Sequence, residues 1–258
     1  MKTWIKVSLW LLIIGLVLVI MGAILGGSFM FWNWGENRKL DSFSQQFLEE
    51  ETESIKELRI KIGASHVEIK NGDRFQIQAT NINKDCFNVD KENGILEIRE
   101  ERANFLRNKN SNATIILTIP ENYFFQKASI EIGAGKVDGA ELLCENCNIK
   151  VGAGQVMLKQ LKAKELSVNC GVGETVLKGV VDEKANIRCG MGNVTLQLTG
   201  EEKEYNYHVK VGIGDITINE TSYSGINNSK QIQNTEKTKQ INLDCGVGKI
   251  SLTINKEG

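Results

Sequence analysis

The stretch "VNCGVGETVLKGVVDEKANIRCGMGNVTLQL" (residues 168–198) decides the fold, because its second half repeats its first. In each half a cysteine precedes a pair of glycines, and alternating apolar residues flank the motif. Gly171 and Gly173 thus return as Gly190 and Gly192. A metal site, a nucleotide-binding loop and a stacked structural repeat would each explain the motif, and each predicts a different function.

The glycine pair recurs through the second half of the chain. Its first glycine stands at positions 133, 152, 171, 190, 212 and 246, so four evenly spaced copies are followed by two at longer intervals. A fixed period of roughly 20 residues is typical of repeat architectures. Apolar and polar residues alternate before each pair, which predicts a strand with one buried face. The residue between the two glycines is also apolar: Ala134, Ala153, Val172, Met191, Ile213 and Val247.

These repeats predict an all-β fold, a right-handed parallel β-solenoid of about 19-residue coils. Each coil would pair with the coils above and below it, about 4.8 Å away. The glycines would stack at a corner where a side chain would clash or where φ must be positive. Upstream strands lack the glycine pair and are interpreted as degenerate coils. One domain is therefore predicted over residues 55–255, with the Gly-x-Gly coils at 128–255.

The N-terminus predicts a membrane anchor. Between Lys6 and Glu36 the chain carries no charge, and residues 9–30 would span about 33 Å as a helix. We therefore predict a tail over residues 1–6 and one transmembrane helix over 7–32. A cleaved signal peptide is the alternative, because Gly26-Gly27-Ser28 resembles a cleavage site. The short basic tail favours a single-pass protein of the cell membrane with an extracytoplasmic domain.

Two further segments stand apart from the repeats. Residues 33–54 are predicted to be a linker or a short capping helix, because Phe43, Phe47 and Leu48 would share one helical face. The polar insertion over residues 219–240 predicts a loop or a hairpin. A recognition loop is the alternative, since loops on rigid scaffolds often carry function.

The cysteines of the repeat are predicted to be structural. Cys170, Cys189 and Cys245 share an inward column with isoleucine and valine, so we expect small buried apolar residues. A disulfide between the stacked Cys170 and Cys189 would need special geometry. Cys144-x-x-Cys147 is the best local metal or redox motif, but a structural zinc site needs four ligands, usually from two such pairs. We predict no metal site and no cofactor.

The glycine pairs do not fit a dinucleotide-binding loop, which needs a third glycine and a following helix. A net charge of −1 and a pI near 6.2 also argue against a nucleic-acid partner. His66 and His208 lie at outward strand positions, where we expect them to be solvated. None of these features predicts a catalytic residue.

A carbohydrate-acting enzyme would need two carboxylates at close range. Glu131 and Asp244 share a column but would lie five coils apart, about 24 Å. Glu174 and Asp215 would lie two coils apart, about 9.6 Å, at the limit for glycoside hydrolysis. We therefore expect a protein that is not an enzyme, with a carbohydrate-acting β-helix enzyme as the alternative.

The repeats "IEIGAG", "IKVGAG", "VNCGVG", "IRCGMG" and "VKVGIG", preceded by "ATIILTIPENYFFQKASI", resemble the bacterial putative-adhesin β-strand-repeat family. This is the type found in LiaG-like, membrane-anchored proteins of the cell envelope. The resemblance covers residues 55–255 and implies a strand-repeat fold, often with an N-terminal membrane segment. It brings no catalytic residues and identifies no ligand-binding residues.

The sequence and the resemblance together favour a non-enzymatic, membrane-anchored surface protein, either an adhesin or a scaffold that binds or senses at the envelope. Its expected partners are the membrane itself, crossed once, and an envelope polymer or another membrane protein. A purely structural partner of another membrane protein is a further alternative.

Overall fold

A computed structural model describes residues 41–48, 54–101, 113–224, 228–234 and 239–256. These residues are almost entirely β-structure, with short 3-10 turns at Lys84–Cys86 and Glu202–Glu204. The strands are β1 (Asp41–Gln46), β2 (Glu57–Ile62), β3 (His66–Gly72), β4 (Gln76–Ile82), β5 (Phe87–Glu92), β6 (Ile95–Glu100), β7 (Thr114–Pro120), β8 (Phe124–Ile132), β9 (Lys136–Val151), β10 (Gln155–Cys170), β11 (Glu174–Cys189), β12 (Asn193–Thr199), β13 (Tyr205–Val211), β14 (Asp215–Ile218), β15 (Thr221–Ser224), β16 (Asn228–Ile232), β17 (Lys239–Cys245) and β18 (Lys249–Asn255).

The middle strands confirm the predicted parallel repeat and its period. Strands β9, β10 and β11 pair in parallel, and Val151 lies opposite Cys170, which lies opposite Cys189. The same offset holds along these strands apart from local bulges between β10 and β11. Each Gly-x-Gly segment is a bend between two strands, so the stacked bends form a continuous corner along the solenoid. We identify each coil by the residue in the middle of its bend.

The order of the coils in space differs from their order in the chain. Strand β17 lies between β11 and β13, and β18 lies between β12 and β14. The last repeat is therefore inserted between the coils of Met191 and Ile213. At the other end, β2 lies between β6 and β8, and β3 between β7 and β9. The corners follow one another as 64, 134, 153, 172, 191, 247 and 213.

Antiparallel strands cover both ends of the stack. Strand β5 pairs with β6, and β4 pairs with β7 and β1. At the other end β16 pairs with β13, and β15 pairs with β14. The degenerate coils predicted upstream are thus present in β2, β3, β6 and β7, whereas β4 and β5 are end strands. Such covering removes open parallel edges that would otherwise attract other strands.

The two flanking segments contribute to this covering. The capping helix predicted within residues 33–54 is wrong over Asp41–Gln46, which form a strand because β4 supplies backbone partners and Phe43 packs edge-on against Phe87. The insertion over residues 219–240 contains β15 and β16, which pair with β14 and β13 rather than with each other. The transmembrane prediction over 7–32 lies outside the described residues. Within them, no helix has the length and hydropathy to cross a membrane.

Inward-facing residues form one contiguous buried cluster along the stack. Aromatic side chains fill its ends: Phe75, Tyr123 and Phe125 pack edge to face near the first coils. Near the last coils, the hydroxyl of the buried Tyr207 donates to the Glu202 carbonyl at 3.0 Å. This core holds the corner in a fixed position.

Candidate functional site

The backbone of each Gly-x-Gly corner is used to hold the next coil. Gly190 N donates to the Cys170 carbonyl and Met191 N to the Gly171 carbonyl, both at 2.8 Å. The same pattern recurs from coil to coil. A phosphate-binding loop needs amide groups that point at the ligand, whereas here the amides of the first glycine and of the middle residue are bonded to the neighbouring coil. The geometry therefore supports the structural interpretation of the repeat over the nucleotide-loop alternative.

Close packing explains why the corner positions are glycine. A Cβ on Gly190 would lie 2.9 Å from the Gly171 carbonyl oxygen. A Cβ on Gly192 would come closer still to the Gly173 carbonyl oxygen and would lie 2.8 Å from the Cys170 Sγ. Among the described residues, the glycines with positive φ are Gly94, Gly179 and Gly200, which lie outside the corner pairs. The predicted clash is therefore correct, and the positive-φ alternative is wrong.

The residue between the two glycines points to solvent rather than into the core. Val172 and Val247 are 58% exposed, Met191 is 65% exposed and Ile213 is 71% exposed. Strict alternation would bury this column, but it does not hold here because the chain bends between the two glycines. We define the corner ridge by its residues in spatial order: Ala64, Ala134, Ala153, Val172, Met191, Val247 and Ile213.

The large side chains of the corner ridge occupy four successive coils. At about 4.8 Å per coil they form an apolar edge about 14 Å long. Exposed apolar residues are common one at a time, but a contiguous row with polar flanks marks an interaction surface. The corner ridge is therefore the candidate functional site.

A shallow groove follows each side of the ridge. One groove, of about 370 Å³, has Lys61, Glu100, Glu131, Lys150 and Asn169 in its walls and corner glycines in its floor. The other, of about 450 Å³, includes Gln155, Glu174 and Asn193 beside the ridge. Since the floors are glycine, a partner could approach the backbone closely on both sides.

Each coil also places one outward residue on each flank of the ridge. The first flank is the residue three positions before the ridge residue, and the second flank is the residue two positions after it. Three coils carry opposite charges on their two flanks: Glu131 and Lys136, Asp244 and Lys249, and Lys210 and Asp215. In three others a charged residue stands opposite an amide: Lys150 and Gln155, Asn169 and Glu174, and Arg188 and Asn193.

The Glu100 carboxylate ends the hydrogen-bond ladder of the corner. It accepts the amides of Gly63 and Ala64 at 3.0 Å and that of Ser65 at 3.1 Å, together with the Ser65 hydroxyl. These amides belong to the first coil of the ridge, which has no preceding Gly-x-Gly coil to supply carbonyl acceptors. Sequence analysis missed this role, although Ser65 in place of a second glycine marks the position.

The predicted inward position of the three repeat cysteines is confirmed. Cys170, Cys189 and Cys245 are buried, and Cys189 lies opposite both of the others in the register of the sheet. Their thiols are free, so the disulfide considered between Cys170 and Cys189 is not formed. The neighbouring Cys189 thiol lowers the pKa of Cys170 to about 7, whereas the same contact and burial raise the pKa of Cys189.

Cys144 and Cys147 are buried and free as well. Cys147 lies opposite Leu166, in the predicted inward column. The contact with Cys144, together with burial, raises the pKa of the Cys147 thiol well above its usual value. Within the described ranges, no group of three or more histidine, cysteine or acidic residues could hold a metal ion.

The carboxylate pairs considered for hydrolysis lie at other separations than predicted. Because the last repeat is inserted before the coil of Ile213, Glu131 and Asp244 are four coils apart rather than five, about 19 Å. Glu174 and Asp215 are three coils apart rather than two, about 14 Å. Both separations exceed the roughly 5–9.5 Å of glycosidase carboxylates.

The two histidines differ in their surroundings. His208 is exposed, as predicted. His66 is partly buried, and its Nε2 lies 2.8 Å from Asp138 Oδ2, which also pairs with Lys136 at 2.8 Å. Burial opposes ionisation of Asp138, but the bonds from Lys136 and His66 outweigh it and lower the pKa of that carboxyl. His66 is thus held by a hydrogen bond to Asp138 rather than freely solvated.

Comparison with solved structures finds several similar chains. A putative cell adhesion protein from Clostridium sporogenes is 15% identical with a TM-score of 0.47, over 84% of this chain and 100% of that one. A putative adhesin from Bacteroides fragilis is 14% identical with a TM-score of 0.38, over 83% and 97%. A putative lipid binding protein from Parabacteroides distasonis is 14% identical with a TM-score of 0.39, over 86% and 98%. No curated protein matches the chain.

The family comparison is more specific. The model of the Toastrack DUF4097 family matches residues 55–235, most of the described domain. This match confirms the resemblance of the strand repeats to a putative-adhesin repeat family of unknown function. The chain belongs to the Toastrack DUF4097 family.

Proposed function

We propose that this chain is a non-enzymatic, single-pass membrane protein whose coils wind as a right-handed β-solenoid outside the cytoplasm. In this proposal it acts as an adhesin-like scaffold at the cell envelope and binds its partner through the corner ridge. The exposed row of Val172, Met191, Val247 and Ile213 is the observation that carries the proposal.

The ridge has the properties of a preformed contact surface. Its backbone is fixed by hydrogen bonds between coils, such as that from Val247 N to the Gly190 carbonyl at 2.8 Å. A rigid surface loses little conformational entropy when it binds. Its centre is apolar and its flanks are polar, the arrangement of protein interfaces.

The chemistry of the described residues supports a binding role over a catalytic one. The carboxylates considered for hydrolysis are at least three coils apart, and the five cysteines of the core are buried. The histidines lie apart on the outer surface, and His66 is hydrogen-bonded to Asp138. A buried thiol without access to substrate has no nucleophilic role.

The membrane part of the proposal has a direct test. The uncharged segment at residues 7–32 and its short basic tail motivate it. Protease added to intact cells should remove the chain beyond about residue 40, where the predicted span has ended. Protection of the domain until the membrane is broken would overturn the proposed orientation.

The binding part is tested by photo-crosslinking on intact cells. A photoreactive residue at Met191 should give covalent adducts, whereas the same residue at Lys178 should not. Lys178 is exposed on the outer face of β11, away from the ridge, so it is the matched control. Equal yields at the two positions, or none at Met191, would show that the ridge is not the contact surface.

A further inference from the structure

We infer that the partner of the corner ridge is a second copy of this chain, docked ridge to ridge about a two-fold axis parallel to the stack of coils. The inference rests on the proposed function of the ridge as a contact surface. It follows from the charges on the two flanks of the ridge and from the symmetry that a pair of identical chains must obey.

Two identical ridges that face each other can be related in two ways. A two-fold axis along the ridge keeps the coils in the same order, so that the first flank of a coil faces the second flank of the same coil in the partner. A two-fold axis across the ridge reverses the order, so that each first flank faces the partner's first flank. The flanking charges distinguish these arrangements.

The axis along the ridge gives complementary charges. Asp244 then faces the partner's Lys249, and Lys210 faces the partner's Asp215. Glu131 faces the partner's Lys136, which also pairs with Asp138 of its own chain at 2.8 Å. The two-fold axis makes each of these contacts occur twice. The coils of Ala153, Val172 and Met191 place a charged residue opposite an amide, which is neutral.

The coil of Ala64 is compatible with this arrangement although its flanks are Lys61 and His66. Lys61 pairs with Glu97 at 2.8 Å, and His66 pairs with Asp138 at 2.8 Å. Both side chains are therefore already engaged within their own chain.

The axis across the ridge brings like charges together when it is centred on Val172, the middle of the ridge. Glu131 then faces the partner's Asp244, and Lys150 faces the partner's Arg188. On the other flank Lys136 faces the partner's Lys249. Like charges that face each other across an interface cost free energy and so disfavour that docking arrangement. Centred between Met191 and Val247 instead, this axis brings Arg188 to the partner's Asp244 but also Glu174 to the partner's Asp215. The flanks therefore favour the axis along the ridge, which brings no two carboxylates together.

That axis also makes the apolar contacts self-complementary. Each ridge residue meets its own counterpart, so Met191 packs against the partner's Met191 and Ile213 against the partner's Ile213. One side chain per coil is a narrow seam compared with the roughly 1,600 Å² of a standard interface. We expect a weak dimer in dilute solution that forms when both chains share a membrane, because tethering raises their effective concentration.

The same axis suits two chains anchored in one membrane. Strand β1, which starts at Asp41, pairs with β4 in the end cover of the stack. An axis along the stack places the Asp41 of both chains at the same end of the dimer. An axis across the ridge would place them at opposite ends.

Cysteine cross-linking of the full-length chain in its own membrane tests the geometry. Met191→Cys and Val247→Cys, each alone, should give a disulfide-linked dimer of twice 28.7 kDa after copper–phenanthroline oxidation. A single position could meet its counterpart about an axis across the ridge centred on it, but both positions do so only if the axis runs along the ridge. Lys178→Cys and the unmodified chain are the controls and should remain monomeric.

A charge-exchange experiment tests the flanks. Asp244→Lys and Lys249→Asp should each lower cross-linking through Val247→Cys roughly tenfold, because two attractive pairs become repulsive. Co-expression of the two variants with different tags should restore a mixed dimer, since each altered charge then faces its complement. A restored mixed dimer cannot arise from contacts within one chain.

Failure of this inference is distinguishable from failure of the proposed function. If Met191→Cys and Val247→Cys give no more dimer than Lys178→Cys, the inference that the partner is a second copy is wrong. If photo-crosslinking at Met191 nevertheless yields an adduct with a different molecule, the ridge remains a contact surface. If neither experiment gives an adduct, both proposals are wrong.

Discussion

Two apolar columns run along the same corner, two positions apart in the chain, and they have opposite environments. Cys189 lies directly before the first glycine and is 3% exposed, whereas Met191 lies directly after it and is 65% exposed. Neighbouring coils repeat this contrast, with Cys170 buried and Val172 exposed. Both columns are apolar in every Gly-x-Gly coil, so composition does not separate them. The bend at the glycines separates them, because the first column lies in the extended strand and points inward, whereas the second column lies in the bend and points to solvent.

The contrast shows where a period of two ceases to predict burial. Alternation assigns a side chain to a face only while the backbone stays extended. At the corner the amides of Gly190 and Met191 bond to the neighbouring coil, which fixes the bend. Glycine permits the coils to approach closely there, and the residue between the glycines is left outside.

The largest effect is expected from a side chain at the tighter glycine. Gly192→Val should lower the free energy of unfolding by about 3 kcal/mol or more, because its Cβ would meet the Gly173 carbonyl and the Cys170 thiol. Gly190→Val should cost less, since its nearest contact is longer. Denaturant unfolding of the purified chains measures both, with Lys178→Val as a surface control. Equal small losses for all three would mean that the corners are not close-packed.

Truncations on the inward face and on the ridge should separate the two environments clearly. Ile187→Ala removes a buried side chain two positions before Cys189, on the same inward face, and should cost about 2–4 kcal/mol. Met191→Ala on the ridge should change stability by less than about 0.5 kcal/mol. Thermal or denaturant unfolding compares them. A loss at Met191 as large as that at Ile187 would place the ridge in the core and contradict the contrast.

Removing the carboxylate that ends the corner ladder should have a smaller effect. Glu100→Ala leaves the amides of Gly63, Ala64 and Ser65 without their acceptor, and we expect a loss of about 1.5–3 kcal/mol. Hydrogen exchange should show faster exchange of these three amides than of the Met191 amide. Unchanged protection at residues 63–65 would mean that Glu100 does not hold this corner.

A small effect is also expected from the ion pair of Glu97 with Lys61. The hydrogen bond from Lys61 lowers the pKa of Glu97, and that from Arg99 adds to it against the opposing effect of burial. A lowered pKa stabilises the fold at pH values above the ordinary value of 4.5, and this stabilisation is lost as the pH falls through the folded value. Glu97→Gln should therefore cost at most about 1 kcal/mol at pH 7, because the pair is partly exposed. A difference from wild type that grew towards low pH would contradict the sign.

Much of the fold follows from the sequence because short-range rules govern it. The repeat period, the parallel pairing and the buried thiols of Cys170, Cys189 and Cys245 were all predictable from alternation and spacing. The order of the coils was not, since the alternation in β17 fits any neighbour in the stack. The longer intervals before Gly212 and Gly246 were the signal that the last coils do not follow one another in space as they do in the chain.

The end strands and the site were predictable only in part. Phe43 and Phe47 fit a helical face in sequence, but β4 offers an unpaired edge that makes the segment a strand. The role of Glu100 depends on amides that are distant in the chain, at Gly63, Ala64 and Ser65, and no local pattern connects them. The ridge was visible as an apolar column, but its exposure follows from the corner bend, a tertiary feature.

Thiol labelling of Met191→Cys tests the contrast between the two columns most directly. In the folded chain, iodoacetamide should modify the introduced cysteine at a rate close to that of an unfolded peptide, because Met191 is 65% exposed. Cys189, two positions away in the same peptide, should stay unmodified until the chain is unfolded. Fragment mass spectrometry resolves the two sites. Labelling of both residues at similar rates, or protection of both, would contradict the account.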